Sequence, residues 1–298
     1  MKAPITYENA TGPIKYTLTS DLLFHYVMQK STKALIGLVC SLKGISPNDV
    51  KSIEVINPID LNSYAKETVM DLKLVLNSGE ILNIELQTYT DPYWINRSVL
   101  YLCRAYDNIK EGENYSLLKP TTHYCITNQE LFPEHPEFYS KFLLLNTKNH
   151  LPYTKNFGIN VLQLNHIDLA TKKDKANNLV YWAKLFNATT WEEFKTLATE
   201  CPEVKEVGTL IFTLNTDNQT AEILEGQRRY REMLASEYAA GVQDTEKRLN
   251  KVIADQAVLI KKIQADKDAA LADKDAELAD KANLILKLQA EIASLKKA

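Results

Sequence analysis

The chain has 298 residues, of which 45% are apolar or aromatic and 24% are charged, and its formal net charge is −3 at pH 7. This composition excludes a wholly disordered chain and provides enough apolar residues for a substantial core. The slightly acidic balance argues against a protein that is basic overall, so a nucleic-acid-binding surface would have to be a local patch.

Targeting signals, membrane spans and cysteine chemistry are not indicated by the sequence. Residues 1–15 contain no apolar run of signal-peptide length, and no stretch reaches about 18 uninterrupted apolar residues. We therefore expect a cytoplasmic protein that does not act in a membrane. The cysteines form no CxxC pair, which predicts buried thiols rather than disulfides or a zinc site. They are Cys40, Cys103, Cys125 and Cys201.

The body of the chain, residues 1–218, alternates between helix and strand patterns, which predicts a mixed α/β domain. A first helix is expected after Thr19 or Ser20, either of which can serve as its N-cap. The other predicted helices cover residues 33–42, 95–109, 179–186 and 191–198. The predicted strands cover residues 50–56, 69–76, 81–87, 122–127 and 159–164.

The tail, residues 219–298, has a different composition. All ten prolines lie at or before Pro202, and residues of high helix propensity dominate the tail. A seven-residue repeat is carried by Leu271, Leu278, Ile285 and Ile292. Such a repeat is typical of a left-handed coiled coil, which we predict over about residues 245–298 and expect to join copies of the chain. The alternative is a solvated single helix of low stability.

The second and third predicted strands alternate apolar and polar side chains. One face is apolar and consists of Leu72, Leu74, Leu76, Leu82, Ile84 and Leu86. Asp71 and Glu85 share the other face only if the numbers of paired residues have an even sum. A three-residue loop at residues 77–79 or 78–80 gives that register, whereas a two-residue loop separates the two carboxylates.

Asp71, Glu85 and Gln87 form a D-x(13)-E-x-Q pattern that this register would bring onto one face. Carboxylates are the ligands that Mg²⁺ prefers, and a bound metal ion can activate water for attack on a phosphate. Gln87 would orient that water or the phosphate. From the pattern alone, an ordinary amphipathic hairpin with a solvated polar face is the alternative.

Further segments accompany this pattern in a defined order. They are residues 19–24 (TSDLLF), 57–58 (NP), 84–87 (IELQ), 97–101 (RSVLY), 112–115 (GENY) and 118–120 (LKP). Together with Asp71 they resemble the recombination-promoting nuclease family, also described as PD-(D/E)XK nuclease family transposases. The resemblance covers roughly residues 17–127 and continues more weakly through Trp182 into the tail.

The resemblance implies a restriction-endonuclease-like core, in which a mixed sheet is flanked by helices, followed by the long C-terminal helix. It also implies Asp71 and Glu85 as ligands of Mg²⁺, with Mn²⁺ as the alternative ion. Gln87 takes the position of the usual catalytic lysine, and glutamine carries no positive charge for the reacting phosphate. Lys73 lies on the same predicted face and is a candidate to replace that charge in part.

Other polar residues are weaker candidates. Asp21 is included because related folds often place an acid on the first helix near the metal ion, although an acid there also complements the helix dipole. Arg97 could contact phosphate, but isolated basic residues more often lie on the surface. The five histidines show no metal-binding spacing, so we expect structural or surface positions for them.

We therefore interpret the chain as a metal-dependent DNA endonuclease of the recombination-promoting, transposase-associated type, whose coiled coil pairs subunits on DNA. Two alternatives remain open. A catalytically weak or inactive nuclease-fold protein, which binds DNA or assembles through its coiled coil, is favoured by the acidic balance and the absent lysine. The other alternative is a defence or toxin nuclease that is held inactive until it is triggered.

Overall fold

A computed structural model describes residues 5–58, 71–89 and 91–295. Its strands are β1 (Ile53–Val55), β2 (Leu72–Leu76), β3 (Ile81–Gln87), β4 (Thr121–Thr127), β5 (Tyr139–Leu143) and β6 (Phe157–Gln163). They form one mixed sheet with the order β1-β2-β3-β4-β6-β5. Strands β3, β4 and β6 run parallel to one another, whereas β1, β2 and β5 pair antiparallel with their neighbours.

Helices flank the sheet, and a long helix follows it, as the sequence predicts. They are α1 (Asp21–Lys30), α2 (Thr32–Lys43), α3 (Trp94–Tyr106), α4 (Lys172–Ala176), α5 (Leu179–Asn187), α6 (Trp191–Glu200), α7 (Pro202–Thr216) and α8 (Asn218–Leu295). Helix α2 ends at Gly44, whose φ of 70° is the left-handed value that glycine adopts without strain. Ser20 precedes α1 as predicted, but its side chain makes no capping hydrogen bond.

The β2–β3 hairpin has the register that the apolar pattern predicts. Leu74 pairs with Leu82, so the numbers of paired residues have an even sum. Residues 77–79 form the loop, because the Leu76 N–H donates to the Glu80 carbonyl over 3.0 Å. Gly79 ends this loop with φ at 80°. The three-residue loop is therefore confirmed, and the first of the two predicted positions is the observed one.

The two faces of the sheet pack against different helices. The apolar face of the hairpin lies in the main core with side chains of α1, α2, α5, α6 and α7. Within this core the Phe24 and Phe186 rings, on α1 and α5, lie 5.7 Å apart between centroids. On the opposite face Trp94 of α3 packs against Cys125 and Val161 of β4 and β6. The sheet therefore has both faces covered, which buries the polar side chains of β3 as well.

Helix α8 begins on the body and continues as the tail. Leu224 is buried in the main core, and the Tyr16 hydroxyl donates to Glu225 over 2.9 Å. The contacts of the chain fall into two units, residues 1–232 and residues 233–298. In the second unit, the large apolar side chains of the predicted heptads are more than half exposed, namely those of Leu271, Leu278, Ile285 and Ile292. No helix in the described ranges is long and apolar enough to span a membrane.

Some elements and environments differ from the sequence predictions. The structure adds the edge strand β5 and the helices α4 and α7, which the sequence pattern did not predict. Strand β1 covers three residues rather than seven, and the predicted residues 69 and 70 lie outside the described part.

All four cysteines lie in described segments and no disulfide joins them, but Cys103 is exposed on α3, so its prediction as a buried thiol was wrong.

Candidate active site

Strand β3 presents Asn83, Glu85 and Gln87 to the face that α3 covers. Their register partners on β4 include Cys125, which packs against Trp94 of α3. The three side chains are only 0%, 7% and 1% exposed. A solvated polar face is therefore the wrong interpretation of this hairpin. Because buried polar groups are costly unless they are bonded, this arrangement needs compensating partners.

Asp71 immediately precedes β2 and continues its register, so its backbone lies opposite Glu85. The side chain of Asn57 fixes this end of the strand. Its amide Nδ2 donates to the Asp71 carbonyl over 2.5 Å, and its Oδ1 accepts from the Lys73 N–H over 2.8 Å. A side chain thus replaces strand pairing beyond the end of β1 and holds the buried Asp71 in place.

Arg97 on α3 makes the densest set of polar contacts at the site. Its guanidinium donates to Glu85 Oε1 over 2.9 Å, to Asp91 Oδ2 over 2.7 Å and also to Gln87 Oε1. The same group lies 4.9 Å from the centroid of the Trp94 ring. Arg97 is therefore a half-buried residue of this cluster rather than an isolated surface cation.

The environment of Glu85 favours its protonated form because the side chain is buried. Burial raises the pKa of Glu85 to about 8; the Arg97 charge opposes this shift, whereas Asp71 and Asp21 add to it by repulsion. Asp21 is buried at the start of α1 and lies within electrostatic reach of Glu85. Asp71, which precedes β2, and Asp21, at the start of α1, therefore both lie within electrostatic reach of Glu85 on β3.

Two buried histidines border the carboxylates, and sequence reasoning did not connect either of them with the site. His123 on β4 lies opposite Asn83, and its Nδ1 is 2.9 Å from Asn83 Nδ2. Its Nε2 is 3.6 Å from Glu85 Oε2, but burial, assisted by Arg97, lowers the pKa of His123 to about 3. Burial likewise lowers the pKa of His25 to about 4, against the opposite influence of Asn57 and Asp71. Both rings are therefore neutral at pH 7.

Lys73 and Gln87 differ in how closely they engage the carboxylates. Lys73 pairs with Asn83 and shares the predicted face, but among the described side chains it forms no ion pair with Asp71 or Glu85. Gln87 donates from Nε2 to the Tyr89 carbonyl over 2.8 Å and accepts from Arg97. Its amide is therefore held in one orientation at the end of β3.

The donor set suits a hard cation, although it is not preassembled. Within residues 5–58, 71–89 and 91–295, no three His, Cys, Asp or Glu side chains are gathered closely enough to hold a metal ion as they stand. Glu85 Oε2 is nevertheless buried and accepts no hydrogen bond from the described residues. An oxygen in that state, with Asp71 and Asp21 nearby, is the kind of ligand that Mg²⁺ or Mn²⁺ takes.

Comparisons with known proteins agree with this geometry. A family model described as PD-(D/E)XK nuclease family transposase matches residues 18–240, which include every residue discussed at the site. No curated protein and no solved structure matches the chain.

Proposed function

Since the chain belongs to the PD-(D/E)XK nuclease family transposases, and is thus a nuclease-fold protein, we propose that it is a metal-dependent DNA endonuclease. Its substrate would be the phosphodiester backbone of DNA. Its metal ligands would be Asp71 and Glu85, with Asp21 as a nearby acid. We further propose that it acts in recombination or transposition.

One observation carries this proposal, namely the burial of Glu85 within electrostatic reach of the buried acids Asp71 and Asp21. Burial together with Asp71 and Asp21 raises the pKa of Glu85 to about 8, in spite of the ion pair with Arg97. A fold gains no stability from such a cluster, because buried like charges repel one another. Clusters of this kind occur at functional sites more often than elsewhere, and a divalent cation would relieve the repulsion.

The reaction is a hydrolysis. The oxygen of a water molecule forms a bond to phosphorus and the water loses a proton, while the bond between phosphorus and one deoxyribose oxygen breaks and that oxygen takes up a proton. A bound Mg²⁺ or Mn²⁺ would polarise the phosphate and make the water more acidic. Asp71 and Glu85 would hold the ion, and the amide of Gln87, fixed by Tyr89 and Arg97, would orient the water or a phosphate oxygen.

The test is cleavage of supercoiled plasmid DNA by the full chain. We expect nicking and linearisation with Mg²⁺ or Mn²⁺, and loss of both in EDTA. Asp71→Ala and Glu85→Ala should each lower the rate by at least about 10²-fold. Glu54→Ala, at an exposed acid on β1, is the matched control and should cleave like the wild type. A single-stranded RNA substrate tested in parallel distinguishes the two nucleic acids.

A second function would account for a negative result. The missing lysine and the absence of a preassembled three-ligand cluster in the described segments favour an inactive nuclease-fold protein that binds DNA or assembles with copies of itself. DNA binding without cleavage, with either metal ion, would select that function. Toxicity on overexpression that Asp71→Ala relieves would instead select a regulated defence or toxin nuclease.

We also propose that the tail pairs copies of the chain through a coiled coil. Leu271, Leu278 and Ile285 are exposed at heptad spacing on α8. Residues 221–298 carry 14 basic and 14 acidic side chains, so a second copy would meet no net repulsion. Association would bury these apolar side chains and would place two sites on one DNA molecule, as a double-strand break requires.

Sedimentation analysis of two triple variants tests the coiled coil. Leu271→Lys, Leu278→Lys and Ile285→Lys together should convert an oligomer into a monomer, because charges are not tolerated in the seam. Ala276→Lys, Asn283→Lys and Ala290→Lys add the same charge five positions later in each heptad and should leave the oligomer intact. A monomeric wild type, or equal behaviour of the two variants, would contradict the coiled coil.

A further inference from the structure

Gln87 leaves the site without the positive charge that a lysine would supply. In the described part of the chain, the cation that contacts both Glu85 and Gln87 is Arg97. It reaches them from α3, which follows β3 after a short loop, so the side chain enters from the helix rather than from the strand. Gln87 occupies the position of the usual lysine on β3, and it is bonded to the Arg97 guanidinium from α3.

We propose that Arg97 is the catalytic cation of this site. In the absence of metal its guanidinium donates to Glu85 and orients Gln87. If Glu85 bound a divalent ion, the guanidinium would transfer the hydrogen bond that Glu85 gives up to an oxygen of the scissile phosphate and would stabilise the charge that develops there. This inference rests on the proposed nuclease function and names the residue that replaces the lysine in it.

The surroundings of Arg97 suit a group that exchanges partners. Asp91 holds one side of the guanidinium over 2.7 Å, and the rings of Trp94 and Tyr101 lie 4.9 and 5.8 Å from it. These contacts do not involve Glu85, so the cation stays anchored when Glu85 is given up, and one Nη2 donor becomes available while the other still holds Gln87. The planar donor pair of arginine also matches two phosphate oxygens, which a lysine amine does not.

Lys73 is the competing candidate, and the contacts favour Arg97. Lys73 shares the sheet face, but it forms no ion pair with Asp71 or Glu85 among the described residues. Arg97 touches Glu85, Gln87 and Asp91 directly.

Glu85 would bind both Arg97 and the metal ion. A catalytic role of Arg97 therefore predicts an effect on metal binding that a purely structural role does not. Removing the guanidinium frees Glu85 Oε1 and leaves the carboxylates without their positive partner. Both effects strengthen the binding of a divalent cation. Loss of Arg97 should therefore tighten metal binding and slow cleavage, whereas loss of a residue that only supports the fold would weaken both.

The experiment compares the full-length wild type with Arg97→Gln, Arg97→Lys, Lys73→Gln and the control Arg104→Gln, an exposed arginine on the same helix. Calorimetry measures Mn²⁺ binding, and plasmid cleavage is measured at saturating Mn²⁺. We expect Arg97→Gln to bind Mn²⁺ several-fold more tightly and to cleave about 10²–10³-fold more slowly. Arg97→Lys should retain more activity than Arg97→Gln, because it keeps the charge, and Arg104→Gln should match the wild type.

Four results would overturn the proposal. Cleavage by Arg97→Gln within about threefold of the wild type, or weaker Mn²⁺ binding by both Arg97 variants, would remove Arg97 from catalysis and leave the nuclease function standing. A larger loss of activity in Lys73→Gln than in Arg97→Gln would transfer the role to Lys73. A wild type that neither binds Mn²⁺ nor cleaves would overturn the nuclease function, and the role of Arg97 with it.

Discussion

Glu85→Gln is expected to abolish cleavage and, in the same protein, to raise the stability of the fold at alkaline pH. The loss of cleavage follows from the loss of a metal-binding carboxylate and should be about 10²–10³-fold or more. The gain in stability follows from the buried position of Glu85, whose pKa is raised to about 8 by burial and by the neighbouring acids. Glutamine has nearly the same shape but cannot ionise, so it removes the repulsion without leaving a cavity.

The pH dependence of this gain has a defined sign. The ordinary pKa of a glutamate is about 4.5, and that of Glu85 in the folded protein is about 8. Below pH 4.5 Glu85 is protonated in both the folded and the unfolded chain, so its titration does not change the free energy of unfolding. Between these values the unfolded chain ionises first, and the destabilisation grows until about pH 8. With about 1.4 kcal/mol for each pKa unit, Glu85→Gln should gain a few kcal/mol at pH 8 and little at pH 5.

Denaturant unfolding in EDTA at pH 5 and at pH 8 measures this difference. EDTA keeps divalent ions from neutralising Glu85 in the wild type. Glu54→Gln removes one carboxylate from an exposed position and serves as the control, with no change expected at either pH. A destabilised Glu85→Gln at pH 8 would show that the ion pair with Arg97 outweighs burial, and the raised pKa would then be wrong.

Gly208→Ala is expected to be among the most destabilising single substitutions in the body. A Cβ at this position of α7 would clash with Cζ of the Tyr7 ring and would lie 2.5 Å from its Cε2. Tyr7 is buried, and the Trp191 and Phe194 rings pack against it at 6.1 and 6.4 Å between centroids. These two rings oppose a displacement of the Tyr7 ring, and the overpacking should cost about 1–3 kcal/mol.

Gly226→Ala provides the matched control for this substitution. Gly226 also lies in a helix, but no atom is within 4 Å of its ideal Cβ, so the exchange should stabilise the chain by about 0.5–1 kcal/mol through helix propensity. Thermal unfolding compares the two variants. Tyr7→Leu should itself be destabilising but should make Gly208→Ala much less costly in the double variant. Additive effects of Tyr7→Leu and Gly208→Ala would show that the two side chains do not compete for space.

The hairpin was predictable because local rules specify it. Alternation of apolar residues fixed the register of β2 against β3, and Gly79 marked the left-handed end of the loop. The pairing of Asp71 opposite Glu85 followed from these two facts. Nothing in a single sequence shows which strands pair in parallel, so the position of His123 beside Asn83 could not be derived.

The role of the polar face was harder to predict, because it depends on a helix. The sequence left open whether Asn83, Glu85 and Gln87 face solvent, and burial of all three results from α3 packing over them. The same packing brings Arg97 to Glu85. The sequence does show that Arg97 lies in the first turn of the helix after β3, which places its backbone near the end of that strand. The direction of its side chain depends on the tertiary structure.

The contact between Arg97 and Gln87 has a consequence for how relatives of this chain should vary. Glu85 and Arg97 are twelve positions apart, so one short segment of the chain carries both members of the pair. Relatives that carry lysine at the position of Gln87 would have two cations competing for Glu85, and selection to keep arginine at the position of Arg97 would relax. Relatives with glutamine there should retain the arginine. The two positions are thus expected to covary through evolution, with one positive charge conserved between them even where neither residue is.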